Sequence, residues 1–262
     1  MAPLFDMHLR ALRRDRAARS GAELFLLERA FADCVERLAL VERRFERGLL
    51  IGCPDSHWPA RLRDLVEEVD VRDPGALFAE WAEGEVIVED DWSAPADTYD
   101  FVLAVGTLDT VNDLPRALKS IARSMRPESL FLGALSGGDT LPQLRSAMRA
   151  ADLATGIASP HIHPRIEASA LAPLLAQAGL VMPVVDVDRA QVSYQSIDRL
   201  IADLRGMGAT NMLRERLRRP LSRQGLEAAR KCFAAAGDGG RTVETVEIIH
   251  FAAWTPQAFP VT

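Results

Sequence analysis

Residues 48–135 alternate between short apolar runs and segments whose apolar side chains recur every three or four positions. Asn112 or Asp113 can cap one such amphipathic helix, and Pro115 fits its first turn. Five apolar runs are bounded by glycine, proline or acidic residues and are typical of buried strands: residues 48–52, 69–71, 85–89, 99–106 and 129–135. This regular strand–helix–strand spacing predicts right-handed crossovers and a mostly parallel sheet.

Beyond residue 135 the alternation is less regular. The pattern predicts four helices and two further strands, the helices at about 139–153, 167–178, 196–204 and 226–236 and the strands at 180–188 and 242–254. Residues 6–47 are interpreted as one or two helices. The sequence therefore predicts an α/β protein with a helical N-terminal extension at 1–47, an α/β domain at 48–262, and helical insertions at about 138–178 and 195–236.

Composition and charge exclude several classes of protein. The 262 residues are 48% hydrophobic and 26% charged, which is typical of a globular chain. No apolar run approaches the roughly 18 residues of a membrane helix, so no membrane span is expected. A formal net charge of −6 argues against a nucleic-acid partner. Cys34, Cys53 and Cys232 are widely spaced and form no CxxC motif, so we expect buried thiols and a cytoplasmic location rather than disulfides or structural zinc.

Charge is unevenly distributed along the chain. Residues 64–113 contain fifteen acids and one base, whereas residues 205–231 contain eight bases and two acids. Two solvated faces of opposite sign would produce this pattern, and so would an ionic substrate held between the two segments.

Several residues with ligand-binding chemistry follow the predicted strands. In an open α/β sheet, ligands bind beyond the carboxyl ends of the strands. A carboxylate such as Asp70 can accept from both hydroxyls of a ribose, and an acid beside Trp92 can accept from an adenine amino group while the indole stacks on the ring. The candidate cofactor-binding residues are Gly52, Asp70, Asp90, Asp91, Trp92 and Gly106. Together they resemble the S-adenosylmethionine site of class I methyltransferases, although a solvated turn is the alternative role for each acid.

A more specific resemblance covers most of the chain. It rests on several long strings in one order, which are RRDRAA at 13–18, VNDLPRAL at 111–118, LGALSGGDTL at 132–141, SPHI at 159–162, QVSY at 191–194 and DLRGMG at 203–208. These strings are similar to the family of NADH:ubiquinone oxidoreductase (complex I) assembly factor 5, with a looser similarity to malonyl-acyl carrier protein O-methyltransferase. The resemblance implies a Rossmann-like, class I methyltransferase fold with a seven-stranded sheet, S-adenosylmethionine as cofactor, and a protein substrate such as a complex I subunit. It also implies that an arginine is the side chain modified.

The cofactor loop departs from the family pattern. The family has an acid in the first strand and then a glycine-rich loop, whereas this chain has Leu50, Pro54 and Ser56 at the corresponding positions. Proline cannot adopt positive φ and has no N–H to donate. The methionine end of the cofactor should therefore be held differently, weakly or not at all. Asp55 is a candidate replacement for the missing acid, with a turn role as the alternative.

The candidate catalytic residues lie after the fifth strand, where such folds recognise their substrates: Asp139, Arg145, His161 and Tyr194. Asp139 either caps its helix or has a functional role, and Arg145 is a candidate partner for an acid of the 64–113 segment. His161 is interpreted as a hydrogen-bonded loop residue; no third ligand accompanies it and His163, so no metal site is expected. Tyr194 places its phenol over the cleft or packs in the core.

Three functional interpretations remain open at this point. The first is a methyltransferase-like assembly factor that modifies a protein side chain, with arginine as the candidate. The second is a carboxyl O-methyltransferase acting on an acid carried by a carrier protein. The third is a non-catalytic assembly or binding protein that keeps the fold with a degenerate cofactor loop.

Overall fold

The computed structural model describes residues 2–93 and 95–257. The helices of these residues are α1 (Met7–Ser20), α2 (Phe25–Ala39), α3 (Trp58–Leu62), α4 (Ala76–Trp81), α5 (Leu114–Ser124), α6 (Pro142–Thr155), α7 (Ala168–Gln177), α8 (Ile197–Gly206) and α9 (Arg223–Ala235). The strands are β1 (Phe45–Ile51), β2 (Val66–Asp73), β3 (Glu85–Val86), β4 (Tyr99–Val105), β5 (Met125–Ser136), β6 (Val181–Tyr194) and β7 (Thr242–Trp254). No helix of this part combines the length and apolar character of a membrane crossing.

The seven strands form one mixed sheet in the order β3-β2-β1-β4-β5-β7-β6. Strands β1 to β5 pair in parallel, and β7 is antiparallel to both β5 and β6. The strand order reverses between β1 and β4, which is where ligands bind in open α/β sheets because the loops leave the sheet in opposite directions. The predicted mostly parallel, seven-stranded sheet is confirmed.

Two apolar layers cover the faces of the sheet. Successive side chains of a strand point to opposite faces, so Leu50 joins the core cluster on the side of α2, whereas Leu49 and Ile51 join the cluster on the side of α5 and α7. Phe31 of α2 stacks on Trp58 of α3, with ring centroids 4.1 Å apart. The core therefore fixes the carboxyl end of β1 from both sides.

The two helices before β1 pack against different elements. Helix α2 packs on the sheet, with Ala30, Phe31 and Cys34 in its core. Helix α1 packs mainly against α4 and α8, and Asp6 caps its start by accepting from the N–H of Leu9. The interpretation of residues 6–47 as helices is confirmed up to residue 39, but β1 begins three residues earlier than predicted.

Candidate functional site

The carboxyl end of β2 carries a buried carboxylate, Asp73, rather than the predicted Asp70. Arg14 of α1 binds Asp73 through both of its carboxylate oxygens, at 2.8 Å from Nε and 2.5 Å from Nη2. The backbone N–H groups of Cys53 and Gly75 also donate to this carboxylate, at 2.8 and 2.7 Å. Four hydrogen bonds fill the roughly four lone-pair positions of a carboxylate, and Asp73 has no exposed surface.

A second carboxylate, Glu89, follows β3 and is bound in the same way. Arg10, one turn before Arg14 on α1, donates to its two oxygens at 2.6 and 2.8 Å and to the carbonyl oxygen of Thr107 at 2.8 Å. Burial opposes the charge of Arg10, but the Glu89 carboxylate raises its pKa above the ordinary value. Both side chains are buried, so the pair is a dry, charge-neutral contact.

A third buried pair follows β4. Arg165, in the loop before α7, donates to Asp109 Oδ2 at 2.8 Å, and each side chain is 7% exposed. Burial lowers the pKa of Arg165 more than the single contact with Asp109 raises it. The buried atoms Arg165 Nε and Asp109 Oδ1 have no hydrogen-bond partner among the described residues. Unlike the two pairs of α1, this pair keeps a free donor and a free acceptor.

A partly open cavity of about 100 Å³ lies beside the three pairs. Its polar lining includes Asp109, Arg165 and Tyr194, and its walls are mostly apolar side chains from α2, α8 and β7, among them Leu27 and Leu204. A cavity of this kind, apolar with a few convergent polar groups, is the usual form of a small-molecule or side-chain pocket. The candidate functional site is this cavity together with the three pairs beside it.

His163 forms part of the cavity wall as a neutral side chain. Its Nε2 accepts from the N–H of Met212 at 3.0 Å, and the ring of Phe5 meets it edge-on at 5.4 Å. Burial, with smaller contributions from Arg165 and Arg13, lowers the pKa of His163 to about 3. The neighbouring His161 instead hydrogen-bonds Asp152 at 2.8 Å and is absent from the cavity lining.

The predicted nucleoside-binding acids make contacts within the chain, and their cofactor-binding role stays a prediction. Asp70 lies within β2, because that strand extends three residues beyond it, and its carboxylate contacts Arg47 and the hydroxyl of Tyr99, each at 3.0 Å. Asp90 accepts from the N–H groups of residues 112 and 113 at 3.0 and 3.2 Å and so fixes the turn before α5. Asp91 is exposed beside Arg116. The prediction of Asp70 as the strand-end acid was wrong.

The remaining predicted cofactor residues have close neighbours, and Gly106 also lines the cavity. Gly52 adopts φ +84°, and a Cβ there would lie 2.3 Å from the carbonyl oxygen of Val105. Leu27 of α2 occupies the space in front of Gly106, since a Cβ on that glycine would lie 2.5 Å from its side chain. Trp92 is half-buried and packs against the core cluster on the side of α5 and α7.

The altered residues of the cofactor loop are part of the packed structure. Leu50 is fully buried among core side chains, and Pro54 is also buried. Asp55 accepts from the N–H and the Nδ1 of His57 at 2.9 and 2.8 Å, which supports its turn role. Ser56 is exposed.

Of the predicted catalytic residues, Tyr194 lies in the cavity lining. Asp139 does not cap α6, which begins at Pro142, and its exposed carboxylate lies 3.6 Å from Arg189. Arg145 approaches the carbonyl oxygens of Gly138 and Thr140 at 3.4 and 3.5 Å instead of pairing with an acid of the 64–113 segment. The structure thus brings neither Asp139 nor Arg145 to the cavity, and their catalytic role stays a prediction.

Sequence reasoning missed the arginines of α1. Arg10, Arg14, Ala17 and Ala18 recur at helical spacing and form the buried face of α1. The sequence did contain one signal of this burial, because Ala17 and Ala18 lie on the same helical face as Arg10 and Arg14. A face that is exposed to solvent does not require such small apolar residues beside its arginines. A basic segment of this kind is also typical of a solvent-exposed surface helix.

Comparison with protein families and with known proteins gives a consistent result. The family model described as "Methyltransferase domain" matches residues 24–183. "Arginine-hydroxylase NDUFAF5, mitochondrial" from Danio rerio is 30% identical, across 97% of this chain and 83% of the relative. The Mus musculus protein of the same name is 31% identical, across 96% and 77%. "Malonyl-[acyl-carrier protein] O-methyltransferase" from Methylovorus sp. is 28% identical, across 93% and 87%.

Solved structures support the same fold. The YcgJ protein from Bacillus subtilis has a TM-score of 0.58 at 12% identity, covering 87% of this chain and 100% of that protein. Phosphoethanolamine N-methyltransferase 2 from Haemonchus contortus, solved with S-adenosylhomocysteine, has a TM-score of 0.51 at 13% identity, covering 87% and 52%. The hydroxylase relatives are named as mitochondrial proteins, and the cytoplasmic location expected for this chain stays a prediction.

Proposed function

This chain belongs to the methyltransferase-domain family and to the family of the arginine-hydroxylases NDUFAF5, and from that premise we propose that it is an assembly factor acting on an arginine side chain of a protein partner. A subunit of respiratory complex I is the candidate partner. The predicted methyltransferase-like fold and the family resemblance are both confirmed.

One observation carries this proposal, namely the buried Oδ1 of Asp109, which has no partner among the described residues and lies beside a mostly apolar cavity. An arginine side chain is an aliphatic stem that ends in a planar head with five N–H donors. The apolar walls suit the stem, and Asp109 can accept from the head through Oδ1 while Oδ2 keeps its contact with Arg165. The positive charge of Arg165 opposes a second guanidinium, so a free arginine derivative should bind only weakly.

The cofactor implied by the family does not fit the residues as they are arranged. A ribose held at the end of β2 needs carboxylate lone pairs, and those of Asp73 are already used by Arg14 and two backbone N–H groups. Pro54 adds no N–H to the loop after β1. The proposed function therefore rests on recognition of the arginine side chain, and no chemical step is assigned to S-adenosylmethionine.

Binding of an arginine analogue tests the cavity directly. Nα-acetyl-arginine amide should raise the melting temperature of the wild-type protein, whereas the uncharged isostere Nα-acetyl-citrulline amide should not. Asp109→Asn keeps the shape of the side chain but weakens the acceptor, so the shift should shrink several-fold. Asp198→Asn, at an exposed acid that pairs with Arg230 outside the cavity, is the matched control. Equal shifts with both ligands would contradict recognition of the guanidinium.

A second experiment examines the partner in the host cell. Deleting the gene should leave an arginine of a complex I subunit without the modification it carries in the parent strain. Mass spectrometry of the isolated complex would detect the loss of either modification, because the arginine would lack the mass of an oxygen atom or of a methyl group. Identical arginine masses in both strains, together with normal assembly of the complex, would overturn the proposal.

The four hydrogen bonds that the Asp73 carboxylate accepts within the chain favour a second candidate function, a non-catalytic assembly protein of the same family. All the lone pairs of that carboxylate are occupied within the chain. In that case gene deletion would impair assembly of the complex, but arginine masses would be the same in both strains. The same experiment therefore separates the two candidates.

A further inference from the structure

We infer that Asp73 and Glu89 form a guanidinium-binding pair that α1 fills with Arg14 and Arg10, and that α1 must withdraw before a nucleoside can bind at this edge. Asp73 ends β2 and Glu89 follows the adjacent strand β3, at the edge where open α/β sheets hold ligands. In this structure the planar guanidinium groups of Arg14 and Arg10, both on α1, bind Asp73 and Glu89 in a bidentate manner.

The contacts of the two acids show that α1 and a nucleoside compete for the same atoms. Asp73 Oδ1 accepts from Arg14 Nε and Gly75 N, and Oδ2 accepts from Arg14 Nη2 and Cys53 N. Both oxygens of Glu89 accept from Arg10. Neither carboxylate has exposed surface. A ribose hydroxyl or an adenine amino group can donate to these oxygens only after an arginine has left.

Close packing around Arg14 shows that α1 is fitted to this position. A Cβ on Gly75 would lie only 2.7 Å from Cβ of Arg14, so the absence of a side chain at Gly75 allows the helix to approach. The guanidinium of Arg14 lies over the ring of Phe78, 5.2 Å from its centroid. Asp15 accepts from the N–H of Leu77 at 3.0 Å, which joins α1 to the first turn of α4.

Withdrawal of α1 has a high energetic cost in the absence of a replacement ligand. Breaking a buried ion pair leaves an uncompensated charge in a dry environment. A nucleoside with hydroxyl donors would reduce that cost, so its binding and the withdrawal of α1 are coupled. When only a small fraction of molecules is competent to bind, the apparent affinity falls by that fraction. Wild-type protein should therefore bind S-adenosylhomocysteine weakly or not at all.

Calorimetric titration with S-adenosylhomocysteine tests the inference on the full chain. The double variant R10Q/R14Q removes both guanidinium groups and should bind the nucleoside about tenfold or more tighter than wild type. The matched control R16Q/R19Q removes the same charge from two exposed positions of α1 and should titrate like wild type. Gly75→Ala is a second variant, which keeps both arginines and displaces α1 by steric conflict, and it should also tighten binding.

The outcomes separate this inference from the proposed function. Tighter binding by R10Q/R14Q or by Gly75→Ala, with no change in the control, supports the competition. If neither variant binds S-adenosylhomocysteine more tightly than wild type, the inference is overturned, and the loop at Pro54 rather than α1 would be what excludes the nucleoside. Micromolar binding by wild type, with the amides of α1 still protected from hydrogen exchange, would also overturn it. None of these results measures binding of an arginine at Asp109, so the proposed function is tested separately by the melting-temperature measurement with the arginine analogue.

Discussion

The buried pair of Arg14 and Asp73 differs physically from the many exposed ion pairs of this chain. An exposed pair is screened by water and contributes about 0–1 kcal/mol. In a buried pair, each charged side chain depends on the other. Removing one of them leaves the remaining charge with neither solvent nor a partner, which costs about 3–5 kcal/mol. Asp73 also holds the N–H groups of two loop residues, so its partner indirectly fixes the loop after β1.

A double-mutant cycle on this pair should show strong coupling. Arg14→Met should lower the free energy of unfolding by about 3–5 kcal/mol, and adding Asp73→Asn should recover part of the loss because the stranded charge is gone. The control cycle uses Arg230 and Asp198, which form an exposed pair at 2.8 Å. Its single variants should each cost about 1 kcal/mol or less. Urea unfolding measures both cycles, and equal coupling in the two would contradict the argument.

At the scale of elements, the sequence pattern placed those strands and helices whose signals are local. β7 has the predicted bounds, and α5 is capped by Asp113 with Pro115 in its first turn, as predicted. β2 was predicted too short, because its polar residues interrupt the apolar run although they continue the strand. The residues at which β2 and β3 end determine which acids lie at the ligand-binding edge. Because the ends of both strands were predicted incorrectly, Asp73 and Glu89 were missed. Their arginine partners come from α1, and sequence spacing carries no information about such distant contacts.

Helix α6 shows why Asp139 was wrongly considered as a cap. Its N-cap residue, Leu141, is in the left-handed region at φ +60° and offers no side-chain acceptor. The acceptor comes from β7 instead, where Glu244 takes the N–H groups of Leu144 and Gln143 at 2.5 and 3.3 Å. Burial raises the pKa of Glu244. A helix start is thus satisfied by a strand about one hundred residues away in sequence.

Removing this distant cap should cost more than removing a local one. Glu244→Ala leaves buried N–H donors without a partner, so we expect a loss of about 2–3 kcal/mol in the free energy of unfolding. Asp113→Ala removes the cap of α5 at an exposed position, where water can replace it, and should cost about 1 kcal/mol. Thermal or urea unfolding of the two variants checks this order. A larger loss in Asp113→Ala than in Glu244→Ala would show that burial does not determine how much a cap contributes to stability.

At the scale of the whole molecule, one neutral histidine joins three segments that are distant in sequence. His163 meets Phe5 before α1, accepts from Met212 after α8, and belongs to the loop between α6 and α7. Phe5 N in turn donates to Asn112 Oδ1 at 2.7 Å, which ties the N-terminus to the turn before α5. The position of α1 over the ligand edge therefore depends on an imidazole that stays uncharged, because a charged ring has no acceptor nitrogen for Met212.

Acidification should therefore destabilise the molecule through His163. Its pKa is lowered to about 3 in the folded state by burial, whereas an unfolded chain protonates histidine near pH 6.5. Between these values the unfolded state binds more protons, so stability is full above about pH 6.5 and falls as the pH decreases. From pH 7 to pH 5 the loss through this group should reach about 2 kcal/mol. His163→Gln keeps an acceptor for Met212 without titrating, so its melting temperature should fall less over this interval than that of wild type, whereas the exposed control His8→Gln should follow wild type. Parallel curves for all three proteins would show that His163 does not couple α1 to pH.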